Sequence, residues 1–243
     1  MENKILEDKV QNLLSKVASY APQADIDMIR LAFEFAKSAH EGQKRKSGEP
    51  YIEHPLAAAH ILADMRIDPI IVTATLLHDV PEDTAVTIED IEKNFGTEIA
   101  SLVRGITKLG KLKYRGVERY IENLRKMFVA MAEDIRVMII KFADRVNNLE
   151  TLSALPPEKQ YRVALESLEI YAPIANRLGM EKMKGWLEDL AFQYVYPKEY
   201  EKTSRIRDEK LAGKESLFAT IESTVAEELK KNGIEAVSIY GRS

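Results

Sequence analysis

Apolar residues recur at intervals of three and four along most of the 243-residue chain, the periodicity of amphipathic helices. Asp68 and Pro69 have the form of a helix start, and the segment that follows, PIIVTATLLHDV, is apolar on nearly every side, which predicts a buried helix. Thr87 and Asp90 have the spacing of a capping sequence ahead of TIEDIEKNF. Further helices are predicted over residues 26–41, 55–66, 118–132, 134–149, 158–176 and 180–194. This pattern predicts an all-α fold.

The end of the chain has a different pattern. After Tyr196 and Pro197 the sequence becomes rich in charge, and a helix is predicted near residues 213–232. The segment IEAVSIYG then alternates as a strand does, although a lone strand has no partner for its backbone. We therefore expect a helical body over residues 1–195. Residues 196–243 are expected to be a helical linker and the first elements of an incomplete α/β domain.

Composition excludes several classes of protein. Hydrophobic residues make up 45% and charged residues 30%, as in an ordinary globular domain. The formal charge of −4 gives no overall positive field for nucleic acid or an anionic membrane, so we expect neither as a partner. The chain has no cysteine, which excludes disulfides and thiolate metal sites and fits a cytoplasmic protein. Any metal site must use histidine, carboxylate or carbonyl ligands.

A few histidines and carboxylates stand out against this apolar background. His54 lies in Glu-His-Pro, and His78 with Asp79 begins HDVPEDT, which ends the most apolar helix. Asp144 lies among apolar residues in the helix over 134–149, where an unpaired charge would be costly. Together these four residues form a nitrogen and oxygen ligand set that suits manganese, iron or a catalytic zinc.

Structural interpretations compete with this metal site. His54 alone fits an ordinary polar helix start, and a His-Asp dipeptide predicts little. Asp144 could be a buried ion-pair partner, with Arg177 as a candidate cation. His40 and His60 are assigned to structure or surface.

The chain also carries candidate phosphate and hydrogen-bonding groups. The basic run 44–46 lies between two glycines, where a mobile loop could reach phosphate, although such runs are usually solvated. Asn148 and Thr151 follow Asp144 at i+4 and i+7 on one stripe of the helix.

Four motifs resemble one known family. In order, they are GQKRKSGEPYIEHP, HDVPEDT, FADRVNNLETL and YAPIANRLGM. Their order and spacing are similar to the N-terminal hydrolase domain of the RelA/SpoT homologues, the enzymes of guanosine tetra- and pentaphosphate. The resemblance covers about residues 25–200 and implies an HD-type phosphohydrolase bundle. The tail, GIEAVSIYGRS, looks like the first strand of the family's synthetase domain.

The resemblance implies hydrolysis of the 3′-pyrophosphate of guanosine tetra- or pentaphosphate to GDP or GTP. It assigns one manganese ion to His54, His78, Asp79 and Asp144. It assigns the attacking water to Glu82 and Asp83. It assigns the nucleotide to Arg45, Lys46, Ser47, Asn148 and Thr151.

The chain departs from the family pattern at two positions. The family usually has Asp-Arg-Leu-His-Asn-Met-Arg-Thr, whereas here Asn147 replaces the His and Glu150 replaces the Arg. Glu150 is expected to bring negative charge close to the stripe that faces an anionic substrate.

Two other functions stay open at this stage. One is an HD-type phosphohydrolase for another nucleotide, which the basic loop motif disfavours. The other is a catalytically quiet module that binds guanine nucleotide and regulates the synthetase. The sequence favours no particular oligomeric state.

Overall fold

The computed structural model describes residues 2–110, 117–212 and 215–234. Within these ranges every regular element is a helix, so the all-α prediction is confirmed. Their one β-type pairing is an isolated bridge between Lys44 and Pro50. None of these helices has the length and apolar character that crossing a membrane requires. The predicted strand IEAVSIYG lies outside the described residues except for Ile234.

The chain divides into two compact units, Met1–Val195 and Tyr196–Ser243. The described helices of the first unit are α1 (Glu2–Tyr20), α2 (Ile26–Ala39), α3 (Glu53–Asp64), α4 (Pro69–Leu77), α5 (Val80–Asp83), α6 (Ile88–Gly110), α7 (Val117–Glu133), α8 (Arg136–Glu150), α9 (Pro157–Glu166), α10 (Ala172–Arg177) and α11 (Glu181–Val195). A 3₁₀ turn, Leu152–Ala154, follows α8, and a π-helical turn, Ser167–Tyr171, joins α9 to α10. The second unit contains α12 (Pro197–Leu211) and α13 (Glu215–Lys231). Its assignment to a synthetase domain stays a prediction.

The helix starts follow the predicted local chemistry. The Asp68 side chain accepts a hydrogen bond from the backbone N–H of Ile70, which caps α4. Thr87 and Asp90 form a reciprocal pair, because each side chain accepts a hydrogen bond from the other residue's backbone N–H. Gly96 has a φ of 85°, so it interrupts α6 and separates the segment that begins after Thr87 from the rest of the helix.

The helix α1 forms where no helix was predicted. The charge alternation of the N-terminus obscures the stripe that makes α1 amphipathic. The members of that stripe are buried, and they are Leu6, Val10, Leu13, Leu14 and Val17. They pack α1 against α2 and α3. The helix α12 lies in the segment for which a helical linker was predicted; it has no buried residue and begins with Pro197, which is well placed at the first helical position.

The helix α4 lies at the centre of the first unit. Every residue from Ile71 to Leu77 is buried, and α4 packs against α2, α3, α6 and α8. The prediction of a buried helix is therefore confirmed. Because α4 ends inside the protein, His78 at its C-terminus is also buried. The helix α3 begins at Glu53, two residues earlier than predicted, which places His54 in its first turn.

Gly105 permits the close packing of α6 on α8. A Cβ at this position would lie 2.6 Å from Cγ2 of Val137. We expect Gly105→Ala to lower the free energy of unfolding by about 1–3 kcal/mol, because overpacking outweighs the better helix propensity of alanine. Urea unfolding checks this. Val137→Ala should restore part of the loss in the double variant; additive losses would contradict the packing argument.

Candidate metal centre and adjoining pocket

Three buried side chains converge where α3, α4 and α8 meet. His54, His78 and Asp144 each place one ligand atom so that all three atoms lie within 4.8 Å of one another. His54 Nε2 is 3.2 Å from Asp144 Oδ1, and His78 Nε2 is 4.0 Å from the same oxygen. Residues 54, 78 and 144 are distant in sequence, so the packing of the three helices creates this cluster.

Asp79 adds a second carboxylate to the cluster. Its Oδ1 lies 3.2 Å from His78 Nε2, and its Oδ2 lies 3.5 Å from His54 Nε2. The structure thus brings together all four residues to which the sequence assigned the metal. Their role as ligands stays a prediction.

The two imidazoles are oriented by hydrogen bonds on their far side. His54 Nδ1 lies 2.6 Å from Asn147 Oδ1, and His78 Nδ1 lies 2.7 Å from the carbonyl oxygen of Thr75. Both acceptors require a proton on Nδ1, so each Nε2 faces the carboxylates. The Nε2 atom of His78 is buried and makes no hydrogen bond to any described residue. An unsatisfied imidazole nitrogen beside two carboxylates fits a divalent cation.

Asp144 is paired with Lys141 from the preceding turn of α8. The Lys141 ammonium lies 2.6 Å from Asp144 Oδ2. Burial raises the pKa of Asp144, but Lys141 and then His54 hold it well below its usual value. Burial likewise lowers the pKa of Lys141, and Asp144 more than offsets this effect. The suggestion that Arg177 pairs with Asp144 is wrong, because Arg177 is exposed on α10 and Lys141 is the nearer cation.

The carboxylates around His54 favour its protonated form. Burial lowers the pKa of His54, but the nearby carboxylates of Asp144 and Asp79 raise it above its ordinary value. A proton on Nε2 would lie between that nitrogen and Asp144 Oδ1. A divalent cation would take the place of that proton between the same groups.

Glu82 and Asp83 end α5, next to the cluster. Burial, together with the carboxylates of Asp79, Asp83 and Asp144 and against the opposing effect of Lys141, raises the pKa of the Glu82 carboxyl group to about 7. Glu82 as a whole residue is exposed.

Tyr51 is a site residue that the sequence analysis missed. Its hydroxyl lies 2.9 Å from Asp79 Oδ2 and 2.6 Å from Asp83 Oδ2, so it bridges two residues of the predicted active site. The ring stacks on His40, with centroids 4.6 Å apart. Tyr51 lies three residues before His54 in the same motif, and that position at a helix start could have indicated its role. His60 bonds the carbonyl of Lys9, which supports its structural assignment.

A cavity of about 390 Å³ adjoins the cluster. Its lining combines cationic side chains from the loop after α2 and from α8 with apolar side chains that follow α8 in the sequence. The lining residues include Lys44, Arg45, Lys46, Ser47, Lys141, Asp144, Arg145, Asn148, Thr151, Leu152, Leu155 and Val163. This combination suits a ligand with both anionic groups and a flat apolar part.

The basic loop is folded back on itself. The backbone N–H of Arg45 donates to the carbonyl of Glu49, and that of Tyr51 donates to the carbonyl of Gln43. Gly48 has a φ of 96°, which the tight turn requires. The expected mobile loop is therefore a closed hairpin that presents its cations to the cavity.

The guanidinium of Arg45 reaches α8 directly. Its Nη2 donates to Asn148 Oδ1 at 2.7 Å, and its Nη1 donates to Thr151 Oγ1 at 3.3 Å and Asn147 Oδ1 at 3.1 Å. Of the loop residues to which the sequence assigned the nucleotide, Arg45 contacts both assigned helix residues, and Lys46 and Ser47 line the same cavity.

Arg145 forms another part of the cavity wall. Its Nη2 lies 3.0 Å from Glu166 Oε2, and its guanidinium lies 4.2 Å from the ring centroid of Tyr171. These contacts join α8 to the π-helical turn, a distortion that often occurs at functional sites.

Comparisons with known proteins match these observations. The HD domain family matches residues 32–181. A probable guanosine-3′,5′-bis(diphosphate) 3′-pyrophosphohydrolase of Synechocystis is 48% identical over 88% of this chain and 28% of that protein. The bifunctional (p)ppGpp synthase/hydrolase SpoT of Escherichia coli is 44% identical over 92% of this chain and 32% of that protein. A GTP pyrophosphokinase of Myxococcus xanthus is 48% identical over 76% of this chain and 25% of that protein.

The chain therefore spans between a quarter and a third of the length of these relatives. The resemblance to the N-terminal part of RelA/SpoT proteins, which the four sequence motifs indicated, is confirmed.

We expect Tyr51→Phe to weaken binding of Mn²⁺ by about tenfold or more, because Asp79 loses the hydroxyl that orients it. Isothermal titration calorimetry measures this. The fold should persist, since the phenylalanine ring can still stack on His40. Tyr20→Phe is the matched control, because its hydroxyl bonds the Ile67 carbonyl and no residue of the cluster. Equal Mn²⁺ affinity in the two variants would contradict the role given to Tyr51.

Proposed function

The chain belongs to the HD-domain family, and from this premise we propose that it hydrolyses the 3′-pyrophosphate of guanosine tetra- and pentaphosphate with one manganese ion. The products are GDP or GTP and pyrophosphate. The observation that carries the proposal is a buried His54, His78 and Asp144 cluster that adjoins a cavity lined by lysine and arginine side chains. A highly anionic nucleotide needs such a wall, because the protein as a whole carries a formal charge of −4.

In this proposal His54, His78, Asp79 and Asp144 hold the metal. A mixed set of imidazole and carboxylate ligands suits manganese, and the unsatisfied Nε2 of His78 supports a cation there. When bound, the ion supplies positive charge that stabilises phosphate oxygens and promotes deprotonation of water.

Glu82 acts as the general base. A carboxyl group with a pKa of about 7 changes protonation near neutral pH, which is the condition for efficient proton transfer. It takes a proton from the water that attacks the phosphorus bonded to the 3′ oxygen. The bond between that phosphorus and the 3′ oxygen then breaks, and the 3′ oxygen takes a proton as the nucleoside diphosphate or triphosphate leaves. Asp83, which Tyr51 holds in place, orients the water.

The nucleotide binds across the hairpin and α8. Arg45, Lys46 and Ser47 approach it from the loop, and Asn148 and Thr151 contact it from the helix. Arg45 already bonds Asn148 and Thr151, so these groups are ordered before the nucleotide arrives. Lys141 adds a fixed positive charge beside the metal cluster.

A second function is supported by one specific observation. A relative of similar identity is a GTP pyrophosphokinase, so residues like these can occur in a protein whose name gives the opposite reaction. The second candidate is therefore a catalytically quiet guanine nucleotide-binding module that regulates a synthetase. Turnover of guanosine tetraphosphate with and without Mn²⁺ separates the two functions.

For both candidate functions we assign residues 196–243 to a helical linker and the beginning of a synthetase domain. We also place the protein in the cytoplasm, where its nucleotide occurs.

Two substitutions separate metal binding from water activation. Asp144→Ala should abolish Mn²⁺ binding and turnover, because it removes a ligand and leaves Lys141 unpaired. Glu82→Gln should retain Mn²⁺ and nucleotide but lower turnover by about 10²–10⁴-fold, because an amide cannot accept the proton. Glu89→Gln, at an exposed position in the first turn of α6, is the control. Near-normal turnover in Glu82→Gln would assign the base to Asp83 instead.

The raised pKa of Glu82 also predicts how stability depends on pH. The folded protein holds a proton on Glu82 up to a pH of about 7, whereas an unperturbed glutamate releases it near 4.5. The group therefore destabilises the fold as pH rises from about 4.5 through about 7. In EDTA, Glu82→Gln should raise the melting temperature at pH 8 and leave it unchanged at pH 4.5. Differential scanning fluorimetry tests this, and an equal shift at both pH values would contradict it.

A further inference from the structure

Asn147 makes contacts in three directions from the buried side of α8. It is 5% exposed, and its Oδ1 is shared by two donors, His54 Nδ1 at 2.6 Å and Arg45 Nη1 at 3.1 Å. Its Nδ2 donates to Glu150 Oε2 at 3.1 Å. The carbonyl oxygen of Asn147 therefore contacts both His54 of the metal cluster and Arg45 of the basic hairpin.

Glu150 determines which way the Asn147 amide faces. In the observed orientation both donors meet the carbonyl oxygen, and the NH₂ group meets a carboxylate. The flipped orientation would place NH₂ against the N–H groups of His54 and Arg45, and the carbonyl against the Glu150 carboxylate. All three contacts would then be mismatched. A carboxylate at position 150 thus matches an asparagine at position 147.

We propose that Asn147 is a positioning residue for both the metal cluster and the basic hairpin that carries Arg45, and that Glu150 holds the Asn147 amide in the required orientation. The inference rests on the metal site of the proposed function. Asn147 keeps the Nδ1 proton of His54 in place, so that Nε2 faces the ligand position, and it ties Arg45 to α8. The two departures from the RelA/SpoT pattern form one matched pair, and Glu150 acts through Asn147 instead of repelling the substrate.

The first test removes the shared acceptor. Asn147→Leu keeps the number and branching of the side-chain heavy atoms but leaves His54 and Arg45 without this oxygen. We expect Mn²⁺ affinity, measured by calorimetry without nucleotide, to fall about 10–100-fold, the usual cost of losing a partner of a metal ligand. Thr151→Val is the matched control, because Thr151 bonds Arg45 and has no bond to His54. It should raise KM for guanosine tetraphosphate and leave Mn²⁺ affinity unchanged.

A spectroscopic measurement separates positioning from general destabilisation. The chain has only four histidines, so ¹⁵N-histidine labelling gives a spectrum that single substitutions can assign. The Nδ1–H of His54 should give a signal protected from exchange with water in the metal-free protein. That signal should disappear in Asn147→Leu, while the Nδ1–H signal of His78, which bonds the Thr75 carbonyl, should persist.

Substitutions at Glu150 test the second half of the proposal in a protein whose core is unchanged. Glu150→Gln keeps an acceptor for the Asn147 NH₂ group and removes the charge, whereas Glu150→Leu removes both. We expect Glu150→Gln to bind Mn²⁺ within twofold of the parent protein and Glu150→Leu to bind it several-fold more weakly. Equal effects of the two substitutions would overturn the orienting role. A marked fall in KM with Glu150→Gln would show that the charge acts on substrate instead.

The positioning role is overturned if Asn147→Leu folds, keeps the His54 signal and binds Mn²⁺ like the parent protein. If Asn147→Leu does not fold, Glu150→Leu and the His54 signal decide the question. Because metal affinity and the His54 signal are measured without nucleotide, their outcome is independent of whether guanosine tetraphosphate is the substrate.

Discussion

Burial of the Asp144 carboxylate among apolar helices costs free energy that nearby positive charge and hydrogen-bond donors must offset, and the surrounding site is arranged to meet this requirement. Lys141 supplies positive charge from the same helix, and the carboxylates favour the protonated form of His54, which faces Asp144 across the interface with α3. In the proposed function a divalent cation replaces the His54 proton and completes the compensation. The apolar surroundings that raise the free-energy cost of burying the carboxylate also strengthen each of these interactions, because the local dielectric constant is low.

The orientation of the proposed ligand side chains depends on residues that form hydrogen bonds with them. Thr75 and Asn147 accept hydrogen bonds from the far sides of the two imidazoles, and Tyr51 bridges Asp79 and Asp83. Each of these partners belongs to a helix or to the turn that enters one. Their positions are therefore as rigid as the packing of α3, α4 and α8, which leaves the ligand atoms little freedom to rearrange.

For the binding of an anionic ligand, the distribution of charge over the protein matters more than the net charge. The protein is acidic overall, yet the hairpin after α2 and the exposed side of α8 face one cavity with lysine and arginine side chains. Arg45 lies at the junction, because its guanidinium contacts α8 and its backbone closes the hairpin. An anionic ligand would meet this local field, while the carboxylates of Asp144 and Asp79 remain paired with the imidazoles and Lys141.

The sequence alone determined the helical class, the buried character of α4 and the residue types of the site, because these follow from periodicity, capping chemistry and the cost of burying charge. It did not predict α1, whose apolar stripe is interleaved with charge, nor the closed form of the basic hairpin. Tertiary structure alone decided that Tyr51 bridges two carboxylates. It also decided that the amide of Asn147 is shared by His54 and Arg45. These contacts join residues on different helices and loops. Only the packing of α3 and α4 on α8 sets the distances between them.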